Sequence, residues 1–219
     1  MTQIAVSRLH YPVTTLGPGR RIGIWLQGCS IRCAGCISAD TWAAGPGMTT
    51  VGEVLDGVRA WLPAADGVTI SGGEPFDQMP ALLGLLKAIR ASFSGDIFVY
   101  SGYPLERLLT ELQAAVGLID ALMTDPFVAG MKQTLPLRGS DNQRLHLLTH
   151  LGRERFSSFL GPSNNQPSFD VMFDEDGTVW FAGVPSQEAF RHISASLEAS
   201  GHRVVTSQDR RVVHGGELS

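Results

Sequence analysis

The chain has 219 residues, 43% of them hydrophobic and 17% charged, with a net charge of −4. This composition suits one globular domain with a sizeable core, or one domain and an appendage. It argues against a surface built to neutralise nucleic-acid phosphates, which needs clustered Lys and Arg. No stretch approaches the roughly 18 apolar residues of a membrane span. Residues 1–11 carry Arg8 and His10 and no leader-like apolar run. The expectation is a cytoplasmic protein that binds neither nucleic acid nor membrane and keeps its thiols reduced.

Residues 21–28, RIGIWLQG, read as a buried strand. Thr49 or Thr50 caps a helix over 51–62, with Val51, Val54, Leu55, Val58 and Leu62 on one stripe. Residues 67–70 form a short apolar strand that stops in the turn 71-SGGEP-75. A helix over 79–92, a strand over 96–102, a helix from Pro104 to 116 and a strand over 118–124 follow. Strands alternating with helices of about 10 to 15 residues predict βαβ units and a parallel sheet. Loops 28–42, 71–78 and 101–104 then all follow strand C-terminal ends, the edge on which such sheets carry their sites. Residues 144–149 read as another strand and 161–168 as a loop or linker. A hairpin over 169–183 turning at Asp176-Gly177, a helix over 186–200 and a strand over 203–207 complete the chain. The expected organisation is a core over 1–160 and a C-terminal extension over 161–219.

All three cysteines, Cys29, Cys33 and Cys36, lie in one loop as Cys-x3-Cys-x2-Cys. An odd, crowded set in a reduced protein is metal-binding or catalytic rather than disulfide-forming. Four readings compete. The cysteines are structural, although the loop also holds Gly, Ser and Arg. They form a zinc site completed by a distant His10, His146, His150 or His192. Cys33 and Cys36 form a redox pair that leaves Cys29 unexplained. Or three thiolates hold a [4Fe–4S] cluster with one iron open to a ligand that is not protein. In SGGEP the glycines admit close backbone approach to a ligand. Glu74 offers a carboxylate to a cationic amino group or fixes the turn.

The cysteine spacing resembles the signature of the radical S-adenosylmethionine (SAM) superfamily, and SGGEP resembles its SAM-binding turn. From residue 11 to about 149 the chain is similar to activating enzymes of glycyl-radical enzymes, above all those of anaerobic (class III) ribonucleotide reductase. The matching stretches are 11-YPV-13, Gly17-Pro18-Gly19-x-Arg21, Gly28-Cys29, 33-CAGC-36 with Trp42, SGGEP, 96-DIFVYSGYPLERL-108, 120-DALMTDPFV-128 and 138-RGSDNQ-143.

This resemblance implies an α/β fold, a partial (βα) barrel of parallel strands, with the hairpin and helix as its extension. It implies a [4Fe–4S] cluster on Cys29, Cys33 and Cys36, with SAM chelating the open iron. Gly72, Gly73 and Glu74 would contact the methionine end of SAM. Ser101 would bond its carboxylate or ribose, and Gly35 and Ile37 would meet the adenine. No catalytic side chain beyond cluster and SAM is implied. The implied chemistry is reductive cleavage of SAM to a 5′-deoxyadenosyl radical, which makes a glycyl radical on a partner enzyme. The electron would come from a donor such as flavodoxin or ferredoxin. A radical SAM enzyme acting on a small molecule or peptide, and a non-catalytic iron–sulfur protein, are the alternatives. Trp42 stacks near the site or lids the core. Asp125 stands where the family usually has Gly before Pro-Phe, and Arg138, Ser140, Asn142 and Gln143 match a closing motif of structural or docking character. The extension holds no cysteine, hence no second cluster.

Overall fold

The computed structural model describes residues 2–162, 169–173, 179–183 and 187–201. The central sheet begins with β1 (Gln3–Val13), which runs antiparallel to β2 (Arg21–Leu26) and also pairs with the short β3 (Met48–Thr50). The chain continues through α1 (Val51–Val58), β4 (Gly67–Gly72), α2 (Met79–Arg90) and β5 (Asp96–Tyr100). Then come α3 (Leu109–Ala114), β6 (Ala121–Thr124), β7 (Arg144–Leu147) and α4 (His150–Phe156). Strand order is β3-β1-β2-β4-β5-β6-β7, with β2, β4, β5 and β6 mutually parallel and both flanks antiparallel. A separate antiparallel pair, β8 (Phe169–Phe173) and β9 (Val179–Gly183), precedes α5 (Gln187–Ala199).

The parallel strands are buried on both faces, which is why they read as continuous apolar runs. Alternate residues supply two cores. Ile22, Ile24, Leu26, Val68, Ile70, Ile97, Val99 and Leu122 pack with α1 and α2 through Val54, Val58, Leu82, Leu85, Leu86 and Ile89. On the other set of positions, Trp25 packs with Val13, Leu16, Met172 and Ala182, while Phe98, Ala121 and Met123 pack with Leu145 and Phe156.

The mostly parallel α/β sheet agrees with the sequence in its four central strands, its flanks are antiparallel, and several boundaries are corrected. Residues 21–26 are the second strand, not the first. The helix expected over 51–62 ends at Val58, because Pro63 cannot donate to a continuing ladder; Leu62 falls in a 3-10 turn. Its start is as expected: Thr50 and Glu53 form a capping box. The helix from Pro104 breaks at buried Leu108 into a 3-10 turn, Leu105–Arg107, and α3. The strand before SGGEP runs on to Gly72. The Asp176-Gly177 turn, most of the 161–168 loop, Ser186 and the 203–207 strand lie outside the described residues. No helix among the described residues is long and apolar enough to cross a membrane.

At the N-terminal edge of the parallel strands, Arg21 is fully buried and ion-paired with equally buried Asp96. Its guanidinium also donates to the Thr69 hydroxyl at 2.6 Å and to the Val68 carbonyl at 2.9 Å. Arg155 reaches the second Asp96 oxygen at 3.2 Å. The ion pair holds the edge opposite the one that carries the cysteines.

Candidate functional site

The loops that follow β2, β4, β5 and β6 meet in one cavity of about 590 Å³. Cys29, Cys33 and Cys36 line it together with Gly35, Ile37, Gly72, Gly73, Glu74 and Ser101, so the expected cluster and SAM residues face the same space, while Trp42 is not part of its lining. Trp25, Tyr100, Phe127, Met131, Gly139 and Gln143 also line it, as do Phe181, Ala182 and Gly183 of β9. Phe127, Gly139 and Gln143 fall in stretches already noted for their motif. The β9 residues carry no comparable signal.

Backbone geometry ties the cysteine loop to the glycine turn. Gly73 N–H donates to Leu26 O at 2.8 Å, and Glu74 N–H donates to Gly28 O at 2.9 Å. A Cβ on Gly73 would lie 2.1 Å from Gly28 O. The turn's glycine is therefore demanded first by this chain's own backbone, and only then by any ligand. On the far side of the loop, Ser30 N–H and hydroxyl both donate to Asp77 at 2.8 and 3.1 Å. Cys36 N–H donates to Cys33 O at 3.1 Å, and between them Gly35 adopts φ +74°, a left-handed conformation that a side chain would strain.

The thiols are half-buried. Burial pushes the Cys36 thiol up to about 11, aided by repulsion from the Cys33 and Cys29 sulfurs, against a favourable Ser38 backbone N–H. Burial likewise raises Cys29. Three crowded thiols are a donor set that gives up its protons when it takes up positively charged metal. Among the described residues, no three His, Cys, Asp or Glu side chains converge on one point as a single zinc ion requires. A four-iron cluster accepts one thiolate per iron and makes no such demand. The donor set and the adjoining space fit that group.

Glu74 is almost fully buried. Its Oε1 accepts from Phe76 N–H at 3.1 Å and from the Ser101 hydroxyl at 2.8 Å, and its Oε2 accepts from Gly102 N–H at 2.8 Å. Burial outweighs these donors and raises its pKa to about 7. Three of the carboxylate's roughly four lone-pair positions are thus used within the protein. Glu74 fixes the turn and still borders the cavity. The Ser101 proton is committed to Glu74, and its oxygen accepts from Tyr103 N–H at 3.1 Å, so this hydroxyl acts through Glu74.

The 125–128 turn that borders the cavity is held by the closing motif. Ser140 accepts from Val128 N–H at 3.0 Å, Asn142 donates to Pro126 O at 2.8 Å, and Gln143 donates to Asp125 O at 3.1 Å. Buried Arg138 donates to the carbonyls of Gln143, Pro136 and Phe159. Asp125 has φ +80°, a conformation that glycine adopts freely, and its carboxylate is paired with Arg144 at 2.7 Å.

The family described as a 4Fe-4S single cluster domain matches residues 15–146. The anaerobic ribonucleoside-triphosphate reductase-activating protein of Salmonella typhi is 35% identical over 148 residues, covering 64% of this chain and 96% of that protein. The chain belongs to this family of activating proteins. The Escherichia coli K12 activating protein is 33% identical over the same length with the same coverage. The pyruvate formate-lyase-activating enzyme of Staphylococcus epidermidis is 39% identical over 85 residues, 36% of this chain and 34% of that enzyme. QueE from Escherichia coli overlaps structurally at a TM-score of 0.38 and 20% identity, over 46% of this chain and 52% of that one. About a third of this activating-protein homologue lies outside the match to its relatives, and β8 and β9 lie beyond the family match that ends at residue 146.

Proposed function

We propose that this chain is a radical SAM activase that makes a glycyl radical on a partner enzyme. The observation that carries the reading is the meeting of three crowded thiols and the SGGE turn on one cavity. Cys29, Cys33 and Cys36 hold a [4Fe–4S] cluster. Gly72, Gly73 and Glu74 receive the methionine end of SAM, and Ser101 orients Glu74 toward it. Gly35 and Ile37 border the adenine. With both groups bound, the site would supply one-electron reductive cleavage of SAM, the electron coming from a flavodoxin- or ferredoxin-like donor, and with it hydrogen abstraction from a glycine of the partner enzyme. The protein's part is to bind, orient and keep out water. Glu74 supplies the negative charge opposite a cationic amino group, and the apolar Trp25, Phe127 and Phe181 limit solvent.

A partial (βα) barrel with a core over 1–160 and an extension over 161–219 packed on it belongs to the same reading. The four parallel strands support the first part. The second is supported by Asp170, whose carboxylate accepts from Thr14 N–H and hydroxyl, both at 2.7 Å, and from Thr15 N–H at 3.1 Å. Because β9 lines the cavity, a second reading changes the substrate alone: a small molecule or peptide in place of a glycyl-radical enzyme.

The test is anaerobic reconstitution with iron and sulfide, reduction by dithionite, and measurement of 5′-deoxyadenosine, with Cys33→Ala as control. Wild type yields 5′-deoxyadenosine and the variant yields none; adding the reductase partner produces a glycyl-radical EPR doublet. A wild-type cluster that reduces and leaves SAM intact with the partner present sinks the proposal. SAM cleavage without a glycyl radical on the partner moves the substrate reading to first place.

A further inference from the structure

Trp42 has no role in the reading above, yet it touches the cysteine loop at both ends. Its carbonyl accepts from Cys29 N–H at 3.3 Å, and its own N–H donates to Ala39 O at 3.2 Å, closing the short 3-10 turn Ala39–Thr41. Its indole Nε1 is buried and meets no acceptor at normal hydrogen-bond geometry. Buried donors without acceptors are rare in folded proteins, because each forfeits its bonds to water. The group within reach of this one is the Cys36 thiol. A neutral thiol is a weak acceptor. A thiolate is a strong one, since bonds to ionised acceptors are shorter and about twice as strong. The orphan donor thus faces an atom that becomes a good acceptor when it ligates iron.

We propose that Trp42 is a positioning residue for the cluster: its indole N–H donates to the Cys36 sulfur once that sulfur is a metal-bound thiolate, and so stabilises the reduced state. This rests on the cluster reading above. Reduction adds one electron's charge, shared over the irons and their sulfurs. A fixed N–H dipole aimed at a ligating sulfur offsets that charge and raises the reduction potential. Backbone N–H groups serve the same sulfurs, from Ser38 to Cys36 and from Ile31 and Arg32 to Cys29. Those donors exist whatever the side chains are. The Trp42 indole is a side-chain donor, so it is a handle by which sequence sets the potential. The same residue positions Cys29 through its carbonyl and Cys36 through its ring, holding the first and last ligands at a fixed separation.

Trp42→Phe keeps an aromatic ring and removes the N–H. The variant and wild type are reconstituted anaerobically, assayed for iron and sulfide, and titrated against potential by EPR. The expected result is full loading and a more negative midpoint potential in Trp42→Phe. A loaded variant whose midpoint is unchanged or less negative overturns the role. A second measurement needs no change at Trp42: wild type carrying indole-15N tryptophan should show a 15N hyperfine coupling to the reduced cluster. That coupling should survive Trp25→Phe, whose ring also lines the cavity. Its absence in wild type, or its loss in Trp25→Phe, overturns the role even if Trp42→Phe fails to load. A wild type that takes up no four-iron cluster defeats the proposed function itself, which is a different outcome from a normal cluster indifferent to Trp42.

Discussion

Glu74 is a carboxyl group that water scarcely reaches and that three protein donors do. Its pKa rises from 4.5 to about 7, and burial is the largest cause. Between those values the folded chain holds a proton that the unfolded chain has released. The stability it contributes is therefore complete below about pH 4.5 and lost as pH rises through about 7. At about 1.4 kcal/mol per unit, the loss is on the order of 3 kcal/mol. Urea unfolding of the metal-free protein should show a midpoint that declines from about pH 5 to pH 8, with a flatter decline in Glu74→Gln. A ligand bearing a cationic amino group prefers the ionised form and reverses the trend. SAM affinity, measured by calorimetry, should tighten as pH rises through 7 in wild type and stay level in Glu74→Gln; equal slopes in the two would remove Glu74 from the amino-group site. The sequence points to the carboxylate but is silent on its surroundings. Phe76 is a neighbour in the chain, whereas Ser101 and Gly102 arrive from the end of another strand, which no local pattern reveals. Asp125, where the resemblance led to an expectation of glycine, holds a left-handed backbone with an Arg144 ion pair beside it.

Between elements, the decisive contact is Gly73 on the Gly28 carbonyl. Gly73→Ala should push the end of β4 away from the cysteine loop. The cost should be about 1 to 3 kcal/mol, the usual range for overpacking, with a visible loss of iron uptake. Thermal unfolding and iron content after reconstitution check it; a normal melting temperature with full loading would show that the loop yields cheaply. The strands carrying these motifs are legible because each is a short apolar run ended by turn residues. β1 is not. Its pairing with β2 shifts register between Val6 and Arg8 and again between His10 and Val13, so the alternation that marks a strand is interrupted twice. α4 is hidden for another reason: it is only seven residues long, begins at a Thr149 cap and buries only Gly152 and Phe156, too few for a periodic stripe.

Across the whole molecule, one end of the parallel sheet is locked and the other carries the site. Arg21 and Asp96 share a fully buried ion pair at the locked end. Arg21→Ala leaves Asp96 with only the partly exposed Arg155, and should cost roughly 3 to 5 kcal/mol in denaturant unfolding, the range for orphaning one member of a buried pair. The hairpin is tied to the core differently, through Asp170 on the Thr14–Thr15 backbone and Met172 and Ala182 on Trp25. Asp170→Ala should lower global stability by only about 1 to 2 kcal/mol. It should sharply raise hydrogen exchange in 169–173 and 179–183, the hairpin strands; unchanged exchange would mean that the remaining contacts, among them the Thr15 hydroxyl on Ala182 O and the packing on Trp25, suffice to hold the hairpin. The sequence predicts a hairpin, and β8 and β9 do pair antiparallel. That it forms a wall of the cavity depends on contacts across more than 150 positions, such as Thr14 with Asp170. The pressing of Gly73 onto the Gly28 carbonyl sets a condition on how such a protein can change over generations. A bulky residue at 73 is ruled out by its opposite number, and the loop keeps its path only while the turn stays bare. The cysteine motif and the glycine motif, 35 positions apart from Cys36 to Ser71, are thus bound to one another by their backbones, and a transplant of either into another α/β sheet would have to bring both.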